Sequence, residues 1–323
     1  MLIISETLAQ ELVSIEDAIE AVEETFVAMA GGLARNYPVV REVVGYANAV
    51  FGVKSGADVS APFLGLKAGG YWPQNLSRGY TNHQSSTLLF DPDTGRASAL
   101  VSANYLTGVR TGASSAIATK RLSRPESSSL GIIGTGGQSA YQLRATLAVR
   151  DIKVVHAWDP SPHNLETFGQ IVAGLGLEYH PHDSSESVVR QADVLITVTP
   201  STKALVDKAW VRPGTHISAM GADTRGKQEL DPQLVADATL FVDEIAQSIS
   251  IGEFQHAFGQ GLIHESDIRG SVGAVIAGTL AGRGSEDEIT IFDGTGVSLQ
   301  DLVVADVAVR RAREKGLGTE VDY

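Results

Sequence analysis

The sequence predicts an α/β protein with two domains: a doubly wound parallel sheet, and an α+β domain whose two parts precede and follow that sheet in the chain. Short apolar runs alternate with helical stretches from residue 131 to residue 292, which is typical of parallel strands joined by helices. Before residue 104, β-like runs follow one another with only turns between them. A long helical pattern at 298–315 is expected to return to the first domain. The predicted domains are therefore 1–118 with 300–323, and 119–299.

Composition and charge limit the functions to consider. A chain of 323 residues is long enough for two domains, and its 38 acidic against 25 basic residues give a net charge of −13. This balance, without a basic stripe, disfavours nucleic acid as a partner. No apolar stretch reaches the ~20 residues of a membrane span and the N-terminus has no signal-peptide pattern, so we expect no membrane association and a cytoplasmic location. The lack of cysteine excludes disulfides and a thiol nucleophile.

The N-terminal region is predicted to be one helix followed by several strands. Ser14 and Asp17 form a capping pattern, and one apolar face continues to Gly31, so this stretch is predicted to be a packing helix. The segment Asp-Pro-Asp-Thr-Gly at 91–95 predicts a hairpin turn. Small residues and helix formers predict a further helix over 104–119. The β-like runs of this region are 39–44, 49–53, 63–68, 86–90 and 97–101.

A glycine-rich turn follows the first apolar run of the middle region. Residues 130–140 read Leu-Gly-Ile-Ile-Gly-Thr-Gly-Gly-Gln-Ser-Ala, before a helical stretch. A pyrophosphate can approach the bare backbone N–H groups of such a turn, which side chains would block. The next apolar run ends in Asp159, 25 residues after Gly134, where a carboxylate can accept hydrogen bonds from the ribose hydroxyls. The pattern predicts a Rossmann-type NAD site formed by Gly134, Gly136, Gly137, Gln138, Ser139 and Asp159.

Asp159 also predicts which nicotinamide cofactor binds. A carboxylate at this strand end accepts hydrogen bonds from the free ribose diol and repels the 2′-phosphate of NADPH, so we expect NADH.

The strands of this region are expected at 131–134, 154–158, 194–199, 216–220, 240–242 and 289–292. The segment His-Pro-His-Asp at 180–183 is similar to a metal cluster, but close histidines in a polar turn are more often solvated, so no metal is expected.

Several ordered blocks resemble the ornithine cyclodeaminase/mu-crystallin family of nicotinamide-dependent enzymes. The blocks are Gly65-Leu66-Lys67, residues 90–96, residues 106–113, the glycine-rich turn, Gly221-Ala222-Asp223, residues 226–231, Asp293-Gly294-Thr295-Gly296 and Gln300-Asp301. The resemblance implies a homodimer and a reaction that interconverts an amino acid and its 2-imino acid by hydride exchange with the nicotinamide.

The same resemblance implies roles for individual residues. Lys67 and Arg110 would grip the substrate 1-carboxylate, with Arg41 as a third clamp. Asp223 would exchange a proton with the substrate nitrogen. Further cofactor contacts would come from Thr111, Thr199, Ser201, Met220, Gly221 and Thr295. Simpler readings stay open: Arg110 as a cap at the start of a helical turn, Arg41 as a snorkelling edge residue, and Asp223 as an Asx turn.

Two departures from the family pattern concern the substrate. Ornithine-handling members carry an acidic residue in the segment that here reads Phe-Gly-Val-Lys-Ser-Gly, and this chain has Lys54 there. A lysine would repel the distal ammonium of ornithine but could bind a second carboxylate. The loop at 79–84 brings His83, a titratable group. Lys54 and His83 could also face solvent.

Within the family, several blocks look most like bacterial iminosuccinate reductases, so the expected reaction is NADH-dependent reduction of iminosuccinate to L-aspartate. The blocks are residues 36–42, 67–73, 82–85, 243–248 and 255–257. Alternatives are an ornithine cyclodeaminase, an alanine dehydrogenase or ketimine reductase, and a non-catalytic mu-crystallin-like binding protein. Retention of Lys67, Arg110 and Asp223 argues against the last.

Overall fold

The structure, a computed structural model, describes residues 1–323. The chain forms two compact units: the first comprises Met1–Arg110 with Val297–Tyr323, and the second comprises Thr111–Gly296. The domain boundaries expected from the sequence, after residues 118 and 299, stay predictions. None of the helices combines the length and the apolar character needed to span a membrane.

Strands occur in both units. They are β1 (Leu2–Ile4), β2 (Ala34–Asn36), β3 (Val40–Val43), β4 (Val50–Asp58), β5 (Phe63–Tyr71), β6 (His83–Phe90), β7 (Ala97–Ser102), β8 (Ser129–Ile133), β9 (Val154–Trp158), β10 (Glu178–Pro181), β11 (Val194–Thr197), β12 (Thr202–Val206), β13 (His216–Ala219), β14 (Gln228–Leu230), β15 (Thr239–Val242), β16 (Ile268–Ser271), β17 (Thr290–Asp293) and β18 (Thr319–Glu320).

The α-helices are α1 (Glu6–Leu12), α2 (Ile15–Ala30), α3 (Asn104–Leu122), α4 (Ser139–Leu147), α5 (Pro162–Gly174), α6 (Ser185–Val189), α7 (Pro232–Asp237), α8 (Ile245–Ser248), α9 (Gln255–Gly259), α10 (Val272–Ile276) and α11 (Ser298–Lys315). Three short 3₁₀ helices lie at Asn75–Arg78, Lys208–Trp210 and Glu265–Asp267.

The first unit is built on a sheet with the strand order β18-β1-β7-β6-β5-β4-β2, with β3 also paired to β4. Strands β4 to β7 form an antiparallel meander. The predicted hairpin turn joins β6 to β7, where Asp91 Oδ1 accepts from the backbone N–H groups of Asp93 and Thr94 at 2.9 Å, and Gly95 has a φ of +70°. Helix α11 packs against β4, β5 and β6, and it also contacts α2.

The predicted N-terminal helix is confirmed as α2. Ser14 Oγ accepts from the backbone N–H of Asp17 at 3.1 Å, and Asp17 Oδ2 accepts from the N–H of Ser14 at 2.9 Å, so the helix begins with a complete capping box. Its apolar face, including Ile19, Val22 and Phe26, is buried.

Alternation along β5 gives the sheet of the first unit two different faces. Gly65, Lys67 and Gly69 share the face that α11 covers; a Cβ on Gly65 would lie 3.0 Å from Leu302 Cδ2 of that helix. Leu64 and Leu66 point to the opposite face. The α11 face is therefore the one that can carry a buried polar site.

The second unit contains a parallel sheet in the order β10-β9-β8-β11-β13-β17-β15-β16. Its central strands β8, β11, β13 and β17 are almost completely buried, as expected for strands with both faces covered. The strand order reverses beside β8, which leaves a topological switch point at the carboxyl ends of β8 and β11. The predicted doubly wound parallel sheet is confirmed.

Candidate active site

A cluster of basic side chains lies on the α11 face of the first unit. The register of β4 and β5 places Lys54 directly opposite Lys67, and directly opposite residues of an antiparallel pair share a face. Both lysines are buried, with 9% and 7% of their surface exposed. The expectation that Lys54 could face solvent is therefore wrong.

Arg110 joins the two lysines from helix α3. It is the seventh residue of that helix rather than the start of a helical turn, so the reading of Arg110 as a helix cap is wrong. Arg110 Nε and Lys67 Nζ each contact the same oxygen, Asp301 Oδ1, at 2.9 Å. Arg110 Nη1 also donates to Gln300 Oε1 at 3.1 Å, and Lys67 Nζ donates to Thr107 Oγ1 at 3.3 Å.

Charge and burial act against each other in this cluster. Burial alone would raise the pKa of Asp301, but Arg110, Lys67 and Lys54 together hold that pKa below its usual value. Burial lowers the pKa of Lys67, Asp301 opposes this shift and Arg110 adds to it, and the result is a pKa of about 8. Lys67 is therefore mostly a cation at neutral pH, although a labile one.

The cluster has unused hydrogen-bonding capacity. Arg110 uses two of the five N–H donors of its guanidinium, and Lys67 uses two of the three donors of its ammonium. The second oxygen of Asp301, Oδ2, is buried without a hydrogen-bond partner. An arrangement of buried cations with spare donors can bind a carboxylate with two parallel hydrogen bonds.

Arg41 and His83 lie on the same face as the lysines. Arg41 pairs with Gly52, and Gly52 pairs with Gly69, which puts Arg41 one row along the sheet from Lys54. His83 is the first residue of β6. Burial, together with the charges of Lys67 and Arg110, lowers the pKa of His83 to about 4, so the imidazole is neutral at neutral pH. His83 can therefore offer a hydrogen bond to an anion rather than a positive charge.

Glycines keep the sheet close-packed beside the cluster. A Cβ on Gly69 would lie 2.3 Å from the backbone oxygen of Gln84, and one on Gly70 would lie 1.8 Å from that of Val50. Such distances exclude any side chain unless the strands separate. The Gly69-Gly70 pair therefore has a packing role in β5.

The glycine-rich turn of the second unit fits a dinucleotide. Gly134 has a φ of +97°, and a Cβ there would lie 2.8 Å from the backbone oxygen of Val198, so only glycine is suited to the end of β8. Above Gly136 and Gly137, in contrast, a Cβ would meet no atom within 4 Å. Helix α4 begins directly afterwards without a side-chain cap. The open turn and the uncapped helix end suit a pyrophosphate.

Asp159 lies at the end of β9, beside this turn. Its Oδ2 accepts from the backbone N–H of Thr135 at 2.8 Å. Its Oδ1 accepts from Ser161 N at 2.8 Å and from Asn164 Nδ2 at 3.2 Å. Two carboxylate oxygens have about four lone-pair sites, so these three bonds leave capacity for a ribose hydroxyl while they fix the turn.

The other residues expected to contact the cofactor or substrate follow the strands of the second unit. Asp223 comes after β13, and its Oδ1 accepts from Lys227 Nζ at 2.7 Å and from Thr224 Oγ1 at 3.2 Å. Thr295 Oγ1 donates to Asp243 Oδ1 at 2.7 Å. Ser201 N donates to Thr199 Oγ1 at 3.2 Å. Gln138, Ser139, Met220, Gly221 and Thr111 are at least half-buried, and their cofactor roles stay predictions.

Two acidic residues near the predicted sites had no role from the sequence. The family block at 300–301 includes Asp301 without a role, although an acid between Leu299 and Leu302 in an apolar helix is itself a signal of a buried partner. Glu229 is completely buried and accepts hydrogen bonds from the backbone N–H groups of Thr199 and Gly221. The spacing of residues in the sequence could not reveal these hydrogen bonds, because they join segments that are far apart in the chain.

Comparisons with known proteins agree with this geometry. The model of the ornithine cyclodeaminase/mu-crystallin family matches residues 1–316. An iminosuccinate reductase of Paracoccus denitrificans (strain Pd 1222) is 49% identical over 322 residues, which are 100% of both chains. A crystal structure of the iminosuccinate reductase of Paracoccus denitrificans in complex with NAD⁺ has a TM-score of 0.94 and covers 100% of this chain and 99% of that one.

Two further solved structures have the same fold over their whole length. The Δ¹-pyrroline-2-carboxylate reductase of Thermococcus litoralis, in complex with NADH and L-proline, is 32% identical with a TM-score of 0.95, covering 99% of this chain and 100% of that one. An archaeal alanine dehydrogenase dimer with bound NAD is 36% identical with a TM-score of 0.95, and the match covers 100% of this chain and 99% of that one. On the family match and these full-length similarities, the chain belongs to the ornithine cyclodeaminase/mu-crystallin family.

Proposed function

We propose that this protein is an NADH-dependent imine reductase that converts iminosuccinate to L-aspartate. The observation that carries the proposal is the placement of Lys54 directly across from Lys67, on the face where Lys67 and Arg110 share one oxygen of Asp301. Similarity to an iminosuccinate reductase at 49% identity supports the same substrate.

The arrangement suits a substrate with two carboxylates. Arg110 and Lys67 keep spare N–H donors for the 1-carboxylate, as described above. Lys54 supplies a further positive charge on the same face, and Arg41 and the neutral His83 lie alongside. Because buried charge is costly unless it is compensated, a cluster of this kind favours a dianion over a monoanion. The cationic side chain of ornithine would instead be repelled by Lys54.

The reaction adds a hydride to the imine carbon and a proton to the imine nitrogen, which turns C=N into CH–NH. Bound NADH supplies the hydride. Lys67 and Arg110 hold the carboxylate next to the reacting carbon, so that the carbon is fixed and the negative charge beside it is neutralised. Asp223 exchanges the proton with the substrate nitrogen through its carboxyl group. Lys227, 2.7 Å from Asp223 Oδ1, keeps that carboxyl group in place.

NADH is the expected cofactor rather than NADPH. Asp159 presents a carboxylate next to the open glycine turn, and the segment from Asp159 to His163 contains no arginine that could bind a 2′-phosphate. The turn would hold the pyrophosphate through its backbone N–H groups. The remaining cofactor contacts are assigned to Thr111, Thr199, Ser201, Met220, Gly221 and Thr295.

The protein is also expected to form a homodimer through the first unit. The sheet face opposite α11 carries Leu64, Leu66 and Leu88, which are only partly buried, and Val40 and Phe51 are 56% and 42% exposed. A contiguous apolar sheet face of this kind is unusual on a monomer. A second copy of the same face can cover it by sheet-to-sheet packing.

Exchange of Lys54 tests the substrate assignment. We expect Lys54→Glu to lower kcat/KM for oxaloacetate plus ammonia by about 100-fold, because the new carboxylate repels the second carboxylate of the substrate. For pyruvate plus ammonia, which lacks that group, we expect a loss below about tenfold. The control is Lys315→Glu, which makes the same charge change at an exposed site of the first unit. Equal losses for both substrates would contradict the assigned role of Lys54.

A further inference from the structure

Glu229 is a fully buried acid for which the proposed reaction has no use. It lies in the middle of β14, and its carboxylate accepts three hydrogen bonds within the second unit. Oε1 accepts from the backbone N–H of Thr199 at 2.6 Å. Oε2 accepts from Thr197 Oγ1 at 2.8 Å and from the backbone N–H of Gly221 at 2.9 Å. Two of the three partners are backbone N–H groups, which can only donate, and one of them is directed at each carboxylate oxygen, so the site favours an ionised carboxylate.

These three donors lie at or just after the ends of two neighbouring strands of the parallel sheet. Thr197 ends β11 and is followed by Thr199, while Gly221 follows the end of β13, whose residues pair with those of β11. The carboxylate thus ties together two loops at the carboxyl edge of the sheet, where ligands bind in such folds. A Cβ on Gly221 would lie 2.4 Å from the backbone oxygen of Thr199 and 2.5 Å from Glu229 Oε2, so the loop and the acid together require a glycine at this position.

A second buried acid holds Glu229 in place. Glu253 Oε1 accepts from the backbone N–H groups of Glu229 and Leu230 at 2.8 and 2.6 Å. Burial raises the pKa of Glu253 well above its usual value, and the charge of Glu229 raises it further. Burial also raises the pKa of Glu229, but its hydrogen bonds from Thr199, Thr197 and Gly221 oppose that shift, so Glu229 is the acid of the pair that ionises more readily.

We propose that Glu229 is a positioning residue for the nicotinamide cofactor: it fixes the loops of Thr199 and Gly221 so that both keep the conformation that binds NADH. This role rests on the proposed use of NADH. A buried carboxylate that served only folding would not need to join these two loops, because β11 and β13 already pair through their backbones.

The test compares Glu229→Gln with a matched control. The amide has nearly the same shape, but its NH₂ group would face donors, so at least one of the three hydrogen bonds is lost. We expect the Kd of NADH, measured by titration of the cofactor fluorescence, to rise at least tenfold, and the KM for NADH to rise with it. At saturating NADH, the KM for the imino acid should change by less than twofold, because the residues assigned to hold its carboxylates lie in the first unit.

The control is Glu288→Gln, the same exchange in the same unit. Glu288 also accepts from a threonine hydroxyl and a backbone N–H, those of Thr239 and Gly284, but it lies where β17 begins, at the opposite edge of the sheet. We expect its Kd for NADH to stay within twofold of the wild-type value. An equal rise in both variants would overturn the proposal, since it would mark a general effect of removing a hydrogen-bonded carboxylate from this unit.

A milder variant covers the case in which Glu229→Gln does not fold. Thr197→Val removes one donor without removing the charge, and we expect a two- to fivefold rise in the Kd of NADH. A folded Glu229→Gln or Thr197→Val protein with the wild-type Kd would overturn the inference. Wild-type protein that fails to bind NADH would instead contradict the proposed function itself, and with it this role of Glu229.

Discussion

Lys67 illustrates how a single buried charge determines the pH range in which this site can bind an anion. Burial lowers its pKa to about 8, so the side chain is a cation below that pH and neutral above it. Binding of a carboxylate needs the cation. The affinity for an anionic ligand should therefore be complete below pH 8 and fall as the pH rises through 8.

This dependence can be measured with succinate as a stable dicarboxylate. We expect its Kd, determined by calorimetry on NADH-saturated protein, to be constant from pH 6 to 7 and to rise at least about tenfold by pH 10, the effect of losing one charged hydrogen bond. In Asp301→Asn the partner that favours the Lys67 cation is gone, so the rise should begin at lower pH. A Kd that does not change between pH 7 and 10 in the wild type would contradict the assigned role of Lys67.

At the residue scale, the sequence predicts the cations better than the acids. Lys67 stands out because a lysine inside an apolar strand needs a partner, and Arg110 lies in a recognisable block. The partner itself, Asp301, is 234 positions away from Lys67 and meets it only through the packing of α11 on the sheet. The block at 226–231 includes Glu229 but gives it no role for the same reason, because its three donors lie at or just after the ends of β11 and β13.

At the scale of elements, the contact between α11 and the sheet depends on small residues. A Cβ on Gly65 would lie 2.7 Å from the backbone oxygen of Leu88 and 3.0 Å from Leu302 Cδ2. We expect Gly65→Ala to lower the free energy of unfolding by about 1–3 kcal/mol, as overpacking usually does, measured by urea denaturation. Because α11 also carries Asp301, we expect kcat/KM to fall as well.

The control for this exchange is Gly31→Ala at the end of α2. Gly31 has a φ of −80°, and a Cβ there would meet its nearest atom at 3.5 Å, an ordinary contact. Its effect on the free energy of unfolding should be within about 1 kcal/mol of zero. If the two variants were equally stable, close packing at Gly65 could not be what holds α11 on the sheet.

The sequence predicts long or strongly periodic elements and misses short ones. The helix expected at 298–315 is observed as Ser298–Lys315, and α2 begins at its predicted cap. Strands β1, β2, β10, β12, β14, β16 and β18 were not predicted. They have two to five residues and too few apolar positions to show alternation, so tertiary pairing rather than local pattern defines them. The strand predicted at 49–53 in fact continues to Asp58. The prediction ends too early because Lys54 and Gly56 interrupt the apolar pattern.

At the scale of the whole molecule, the apolar sheet face opposite α11 in the first unit predicts the oligomeric state. Leu66 lies near the middle of β5 on this face, between Ser55 of β4 and Leu88 of β6. We expect light scattering to give a mass of about twice 34.1 kDa for the wild type and about 34.1 kDa for Leu66→Glu, since a buried unpaired charge would oppose sheet-to-sheet packing. A Leu66→Glu dimer would place the interface elsewhere.

The central claim is that the molecule reduces a dicarboxylic imine, and the most direct test is to follow NADH absorbance with three substrates. These are oxaloacetate plus ammonia, which form some iminosuccinate in solution, pyruvate plus ammonia, and L-ornithine with NAD⁺. We predict the fastest NADH oxidation with oxaloacetate plus ammonia, with L-aspartate formed in equal amount to the NADH consumed. Formation of proline from ornithine without net change in NADH would contradict the account and assign the protein to the cyclodeaminases.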